Sequence, residues 1–335
     1  MKKKLNITVL VDKWTIPAND PDFSQEAREP STEYHVIQTA RELGHNVSVL
    51  GLEDDIKIVV TALSKNKPDI VFNLTEQLGG DRSMDMNIAA VLDMLDIPYT
   101  GSGPVGLMLS RNKDLCKQLL TQHRIRVPGF VCVAQNQKVR IPKSMKYPLV
   151  VKPAFEDSSE GISNASLVNN ESSLLERISF VHEGWQQPVI VEEYIEGREF
   201  YAGVIGNKRL TVLPIRECLF DSDSPEGPQL ATYRVKWNRK YREKWNISFD
   251  FADIEKHIVE NIERICKRVY RLLRIRDYGR IDLRLTPENK LVVLETNPNA
   301  DIAYGEEVAE AAEKAGISYE KLIDRILRLA LRRYQ

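Results

Sequence analysis

Tyr278-Gly279-Arg280-Ile281-Asp282-Leu283-Arg284-Leu285 and, after the turn signal Glu288-Asn289, Lys290-Leu291-Val292-Val293-Leu294-Glu295-Thr296-Asn297 decide how this chain is read. Arg280 and Asp282 alternate with Ile281 and Leu283, so both polar side chains leave one face of a strand. Glu295 and Asn297 share a face in the same way. Two carboxylates and an amide oxygen suit Mg2+, a hard cation that takes oxygen ligands and fills its shell with nucleotide phosphates. Either segment alone reads equally well as a solvated, charged strand face.

Three further stretches bear on this reading. Leu149-Val150-Val151 ends at Lys152-Pro153. A lysine closing a buried strand is costly unless an anion meets it. Ser158-Ser159-Glu160-Gly161-Ile162 follows, with small hydroxyls and a glycine whose N–H groups can cover phosphates, or simply a surface turn. Val189-Ile190-Val191-Glu192-Glu193-Tyr194-Ile195 puts carboxylates after an apolar strand, where backbone groups at 193–195 can read an adenine edge. A charged turn is the plainer alternative. Gly101-Ser102-Gly103-Pro104-Val105-Gly106 matches the dinucleotide pattern GxGxxG, but it comes late, contains Pro104 and has Arg126 where an acid is required. A tight turn with close backbone packing is expected there.

Composition limits the rest. The chain has 335 residues, 42% hydrophobic and 28% charged, enough for two or three domains. Lys plus Arg total 47 against 48 for Asp plus Glu, which argues against general attraction to nucleic acid. No apolar run approaches the roughly 18 residues of a membrane span, and Ile7–Val11 is too short for a signal-peptide core. Cys116, Cys132, Cys218 and Cys266 lie far apart without a CxxC, and the histidines form no HExxH. A disulfide framework or zinc site is not expected, and a reducing cytoplasm fits.

Early in the chain, strands at 5–11, 46–50 and 69–73 alternate with helices at 32–43, 55–64 and 84–95. That order predicts a parallel α/β sheet, with 14–30 as a long loop above the first strand. Beyond it, helices at 112–123, 171–182, 253–273 and 319–331 accompany strands at 189–194, 199–205, 210–215, 278–285 and 290–295. These strands look antiparallel, so the remainder is α+β.

Taken in order, Pro98-Tyr99-Thr100-Gly101-Ser102-Gly103, Lys113, Lys152-Pro153, Ser158-Ser159-x-Gly161-Ile162, Glu192 to Glu199, Lys236 within Tyr233-Arg234-Val235-Lys236-Trp237, Gly279-Arg280-Ile281-Asp282 and Leu294-Glu295-Thr296-Asn297 resemble the ATP-grasp superfamily, specifically the D-alanine–D-alanine ligase type. The resemblance runs from about Asn73 onward. It implies an ATP-grasp fold preceded by a parallel α/β domain. The expected units are 1–110 for substrate, 111–187 with a phosphate-covering loop, and 188–335 with the metal and catalytic residues. It implies an ATP-dependent ligase that joins a small carboxylate to an amine, amino acids among them, through an acyl phosphate. ATP and Mg2+ are the implied cofactors, with two ions and Mn2+ able to substitute. Lys113, Lys152 and Lys236 would hold phosphates, and Ser159 and Gly161 would cover them. Glu192, Glu193, Ile195 and Glu199 fall on adenine and ribose contacts. Arg280, Ser158 and Lys236 fall on catalytic positions, and Asp282, Glu295 and Asn297 on metal ligands. A cytoplasmic enzyme follows, with no nucleic-acid or membrane partner, and a homodimer is compatible.

The departures concern substrate. The family's His-Gly-x-x-Gly-Glu-Asp segment is replaced by Phe72–Asp81. Glu26, Glu29, Glu33 and Glu76 compete for the role of the acid that holds the first substrate's ammonium. Asp301 and Glu306 stand where the family has a glycine and an acceptor-binding serine. An acceptor other than D-alanine is therefore expected. The alternatives are a ligase for a non-amino-acid carboxylate, an ATP-binding regulator without catalysis, and, on residues 101–106 alone, a nicotinamide oxidoreductase.

Overall fold

A computed structural model describes residues 4–25, 31–156, 159–220 and 230–335. The alternating early segments form β1 (Asn6–Asp12), α1 (Thr32–Glu42), β2 (Asn46–Leu52), α2 (Lys57–Lys65), β3 (Ile70–Asn73) and α3 (Asp85–Met94). The sheet order is β2-β1-β3, and both pairings are parallel, as the βαβα pattern requires. Ser31 caps α1 by accepting from the Tyr34 N–H at 3.3 Å, and Gly44 takes the left-handed turn beyond it at φ 86°. Glu26 and Glu29 lie outside the described residues.

The glycine-rich stretch at 101–106 does pack closely: a Cβ at Gly103 would meet the Arg276 guanidinium at 2.7 Å, and one at Gly106 the Arg274 carbonyl at 2.7 Å. What the pattern concealed is a helix. Pro104 opens α4 (Pro104–Arg111), where a missing N–H costs nothing. Next comes α5 (Lys113–Gln122), capped by Asn112.

A four-stranded antiparallel sheet follows, from β4 (Phe130–Val133), β5 (Leu149–Pro153), β6 (Leu167–Val168) and β7 (Val189–Glu193), in the order β4-β7-β5-β6. Helix α6 (Glu171–Trp185) packs Leu174, Ile178 and Val181 onto it. Strand β7 pairs with both β4 and β5, so residues on either side of the expected 187/188 division share one sheet.

The largest sheet contains β8 (Arg198–Ile205), β9 (Thr211–Val212), β10 (Arg216–Leu219), β11 (Ser248–Phe251), β12 (Tyr278–Leu285) and β13 (Leu291–Pro298). Its order is β11-β10-β8-β12-β13, with β9 on β8. The strand expected at 210–215 shortens to the two-residue β9, and Pro214, whose missing N–H cannot join a ladder, lies between it and β10. Short helices α7 (Tyr233–Trp237) and α8 (Arg239–Lys244) precede the amphipathic α9 (Lys256–Leu272). Two closing helices, α10 (Glu307–Lys314) and α11 (Tyr319–Leu331), return to the first sheet, where Leu322, Ile323 and Ile326 share a core with Ile7, Val36 and Ile37. No helix among the described residues is long and apolar enough to cross a membrane.

Candidate active site

In the antiparallel register of β12 and β13, Asp282 lies opposite Glu295 and Arg280 opposite Asn297. Alternation puts all four side chains on one face, as the sequence pattern indicates. Arg280 donates to both Asp282 oxygens at 2.8 and 3.1 Å and to Glu307 at 3.0 Å. Asn297 Nδ2 donates to Asp282 Oδ2 at 3.2 Å, which leaves its carbonyl oxygen for another partner. Burial would raise the Glu295 carboxyl, but Lys113, Lys152 and Lys236 hold it down at about 2. Burial dominates at Asp282 and raises it in spite of Arg280.

The lysines arrive from separate elements. Lys113 begins α5, lies 3.0 Å from Glu295 Oε1 and donates to the Glu156 carbonyl. Lys152 on β5 lies 3.1 Å from Glu192 Oε2. Burial depresses the Lys152 ammonium, and Glu192, Glu295 and Glu199 together more than restore it. Lys236 on α7 lies over the Tyr201 ring at 5.9 Å.

Two cavities meet here. A narrow slot is lined by Lys152, Ser159, Glu192, Glu193, Ile195, Glu199 and Arg284, between the second and third sheets. A cleft of about 770 Å³ is lined by Lys113, Gly161, Arg280, Asn297, Asp301 and Glu306, among others. Lys236 and Glu295 line both.

Other positions differ in detail from the plain motif reading. Glu199 is buried, held by Arg284 at 2.7 and 3.0 Å and by the Tyr201 hydroxyl at 2.9 Å. The N–H groups of Glu193 and Tyr194 are committed to the Gly129 and Pro148 carbonyls. Ser159 Oγ donates to the Ala231 carbonyl at 2.7 Å, and Tyr233 N–H to the Ile162 carbonyl at 3.3 Å. The phosphate-covering loop thus touches the segment that leads into α7, while Ser158 and 221–229 lie outside the described residues. Glu76 pairs with Arg82 at 2.6 Å. Glu33 lines a small side chamber with Asn73, Thr75 and Asp301. Asp301 and Glu306 both line the cleft, and Asp301 is in addition tied to α1, accepting from Thr32 Oγ at 2.6 Å.

Sequence reasoning missed Lys117, Arg284, Arg82 and Glu307. Arg284 was legible, because it continues the Arg280, Asp282 alternation. Lys117 follows Lys113 by one helical turn. Arg82 and Glu307 gave no clear signal, since Glu156 and Glu160 lie far in sequence from Arg82, and Arg280 far from Glu307.

Three lysines, paired acids and an arginine gather where a slot between two antiparallel sheets opens into a cleft, an arrangement that matches the ATP-grasp class of carboxylate–amine ligases. Residues 119–328 match the family model for the D-ala D-ala ligase C-terminus. An uncharacterised protein of Sinorhizobium fredii is 31% identical over 306 residues, which is 89% of this chain and 87% of that protein. The chain belongs to the D-ala D-ala ligase family. A D-alanine–D-alanine ligase of Aquifex aeolicus is 28% identical over 294 residues, covering 87% of this chain and 92% of its own length. The ATP complex of D-alanine–D-alanine ligase from Bacillus anthracis matches the fold with a TM-score of 0.73 over 98% of each chain, at 19% identity.

Proposed function

We propose that this protein is an ATP-dependent ligase that joins the carboxylate of one amino acid to the amine of a second substrate through an acyl phosphate, and that the second substrate is not D-alanine. The observation that carries the reading is the shared wall of slot and cleft at Lys236 and Glu295. A γ-phosphate bound there has the nucleotide on one side and the substrates on the other.

A carboxylate oxygen attacks the γ-phosphorus, the bond to the β–γ bridging oxygen breaks, and ADP leaves with the electron pair. The amine then attacks the acyl carbon, inorganic phosphate departs, and the nitrogen loses its extra proton. Lys113, Lys152 and Lys236 neutralise phosphate oxygens and align them. Arg280 has three of its five N–H groups engaged by Asp282 and Glu307, which fixes the guanidinium and leaves two for the tetrahedral oxyanion. The Ser159–Ile162 loop and the α7 segment keep water from the acyl phosphate.

Asp282, Glu295 and Asn297 fit Mg2+: the donors are all oxygen, they share one strand face, and Glu295 is ionised at any working pH. A bound ion would polarise the phosphate oxygens.

The acceptor reading rests on Glu306. Burial, with Asp301 and Glu307 nearby, pushes its carboxyl up to about 7. In its ionised form it repels a bound carboxylate, and an amine or cation placed beside it would favour that form and relieve the repulsion from Asp301 and Glu307. We therefore favour an acceptor with a second amino group or without a free carboxylate. A phosphate-release screen of paired L- and D-amino acids with Mg-ATP, followed by mass spectrometry of the products, tests both parts. Absence of any amine-dependent phosphate release would remove the ligase reading. Rapid formation of D-alanyl-D-alanine would remove the acceptor reading alone.

A further inference from the structure

Lys117 is a buried cation that the mechanism leaves unused. It follows Lys113 by one turn of α5, so both side chains leave the same helix face. Its side chain is 3% exposed. It lines neither the slot nor the cleft but a separate small void with Cys116 and Leu120.

Two contacts define its position. Nζ donates to the Leu294 carbonyl at 2.6 Å. Leu294 is the extra residue of a bulge, because Asp282 faces Glu295 while the next residue, Leu283, faces Val293. A residue left out of the ladder needs another partner for its backbone groups, and Lys117 supplies one. Nζ also lies 3.2 Å from Glu192 Oε1, while Lys152 Nζ lies 3.1 Å from Oε2 of the same carboxylate. One buried acid is thus shared by two ammonium groups, of which only Lys152 lines the slot.

The charge balance follows. Glu192 and Lys152 alone would form a closed neutral pair, and an incoming phosphate would have to compete with Glu192 for the lysine. With Lys117 present the trio carries one net positive charge, at the member that faces the slot. The geometry points to Lys117 as a positioning residue that keeps Lys152 available to the ATP phosphates by giving Glu192 a second, permanently buried counter-charge. The inference rests on the nucleotide reading of the slot.

Three variants of the full chain separate charge from scaffold. Lys117→Gln keeps a donor for the Leu294 carbonyl without the charge, Lys117→Met removes both, and Lys117→Arg keeps the charge. Mg-ATP affinity by calorimetry, KM for each substrate and thermal midpoints are compared with wild type. Lys117→Gln and Lys117→Met should weaken ATP binding by about tenfold or more, as expected for a lost charge-assisted contact. KM for the carboxylate and amine substrates should stay near wild type, and Lys117→Arg should retain most of the affinity. Should Lys117→Met not fold, Lys117→Gln carries the test. A folded Lys117→Gln protein that binds ATP like wild type would overturn the proposal, as would a Lys117→Arg protein as weak as Lys117→Gln. A wild-type chain that binds no ATP is a different failure, because it removes the nucleotide reading itself.

Discussion

Asp12 closes β1 with one carboxylate oxygen accepting from the Glu76 N–H at 3.2 Å and the other buried without a hydrogen-bond partner among the described residues. Burial, more than the neighbouring Glu76 and Glu33, pushes its carboxyl up to about 7 from an ordinary value of 3.8. Between those values the folded chain holds a proton that the unfolded chain has released, so stability falls as pH rises through that window. Asp12→Asn should stabilise the protein by about 1–3 kcal/mol at pH 8 and by little at pH 4. Urea unfolding at the two pH values measures this, and an equal effect at both would dismiss the explanation. Lys152→Ala should weaken ATP binding by about 1.5–3 kcal/mol with the fold intact. Wild-type phosphate release from that variant would take Lys152 out of the site. Glu295→Gln, Asn297→Ala and Asp282→Asn should each raise the Mg2+ concentration needed for half-maximal turnover. Superimposable magnesium titrations for all three would reduce these residues to strand packing.

Helix α7 has five residues, and Thr232 caps it by accepting from the Val235 N–H at 3.4 Å. So short a helix depends on its cap to keep Lys236 aimed at the junction of slot and cleft. Thr232→Ala should cost about 1 kcal/mol of that local order and lower kcat/KM roughly fivefold, and Thr232→Ser should restore it. Equal kinetics in the alanine and serine variants would count against the cap. This element also shows where the sequence is hard to read. Tyr233–Trp237 has no apolar period, so only the family pattern marked Lys236. Helix α10 hid for a related reason: its apolar face, Val308, Ala309, Ala311 and Ala312, is mostly small alanines that give a weak period. Strands β5, β7, β12 and β13 were legible because apolar runs or strict alternation lead directly into charged residues. Lys117 was not legible, since a lysine on an amphipathic helix ordinarily faces water. Its burial depends on Glu192 and Leu294, which lie far away in sequence.

Arg82 lies just beyond β3 and ties the first unit to the second. Besides Glu76, it lies 3.3 Å from Glu156, just before the phosphate-covering loop, and 3.6 Å from Glu160 within it. These are partly exposed pairs worth about 0.5–1 kcal/mol each, so losing both should reduce the closed population roughly five- to thirtyfold. Arg82→Ala should therefore leak: phosphate released per ligated product should rise as water reaches the acyl phosphate. Measuring both products in one reaction checks this, and unchanged stoichiometry would show that closure does not depend on Arg82.

Helix α11 completes the core over α1 and β1, and Arg333 beyond it pairs with Asp277 and donates to the Tyr99 carbonyl at 2.6 Å. During translation, the ribosome delivers α1 and its sheet long before it delivers their cover. The core that Val36, Ile37 and Ala40 share with α11 therefore stays incomplete in the nascent chain until Tyr319–Leu331 has emerged. A stop codon ahead of Tyr319 would thus unsettle α1 and β1, far in sequence from the residues it removes, and quality control would meet that product as a misfolded first sheet.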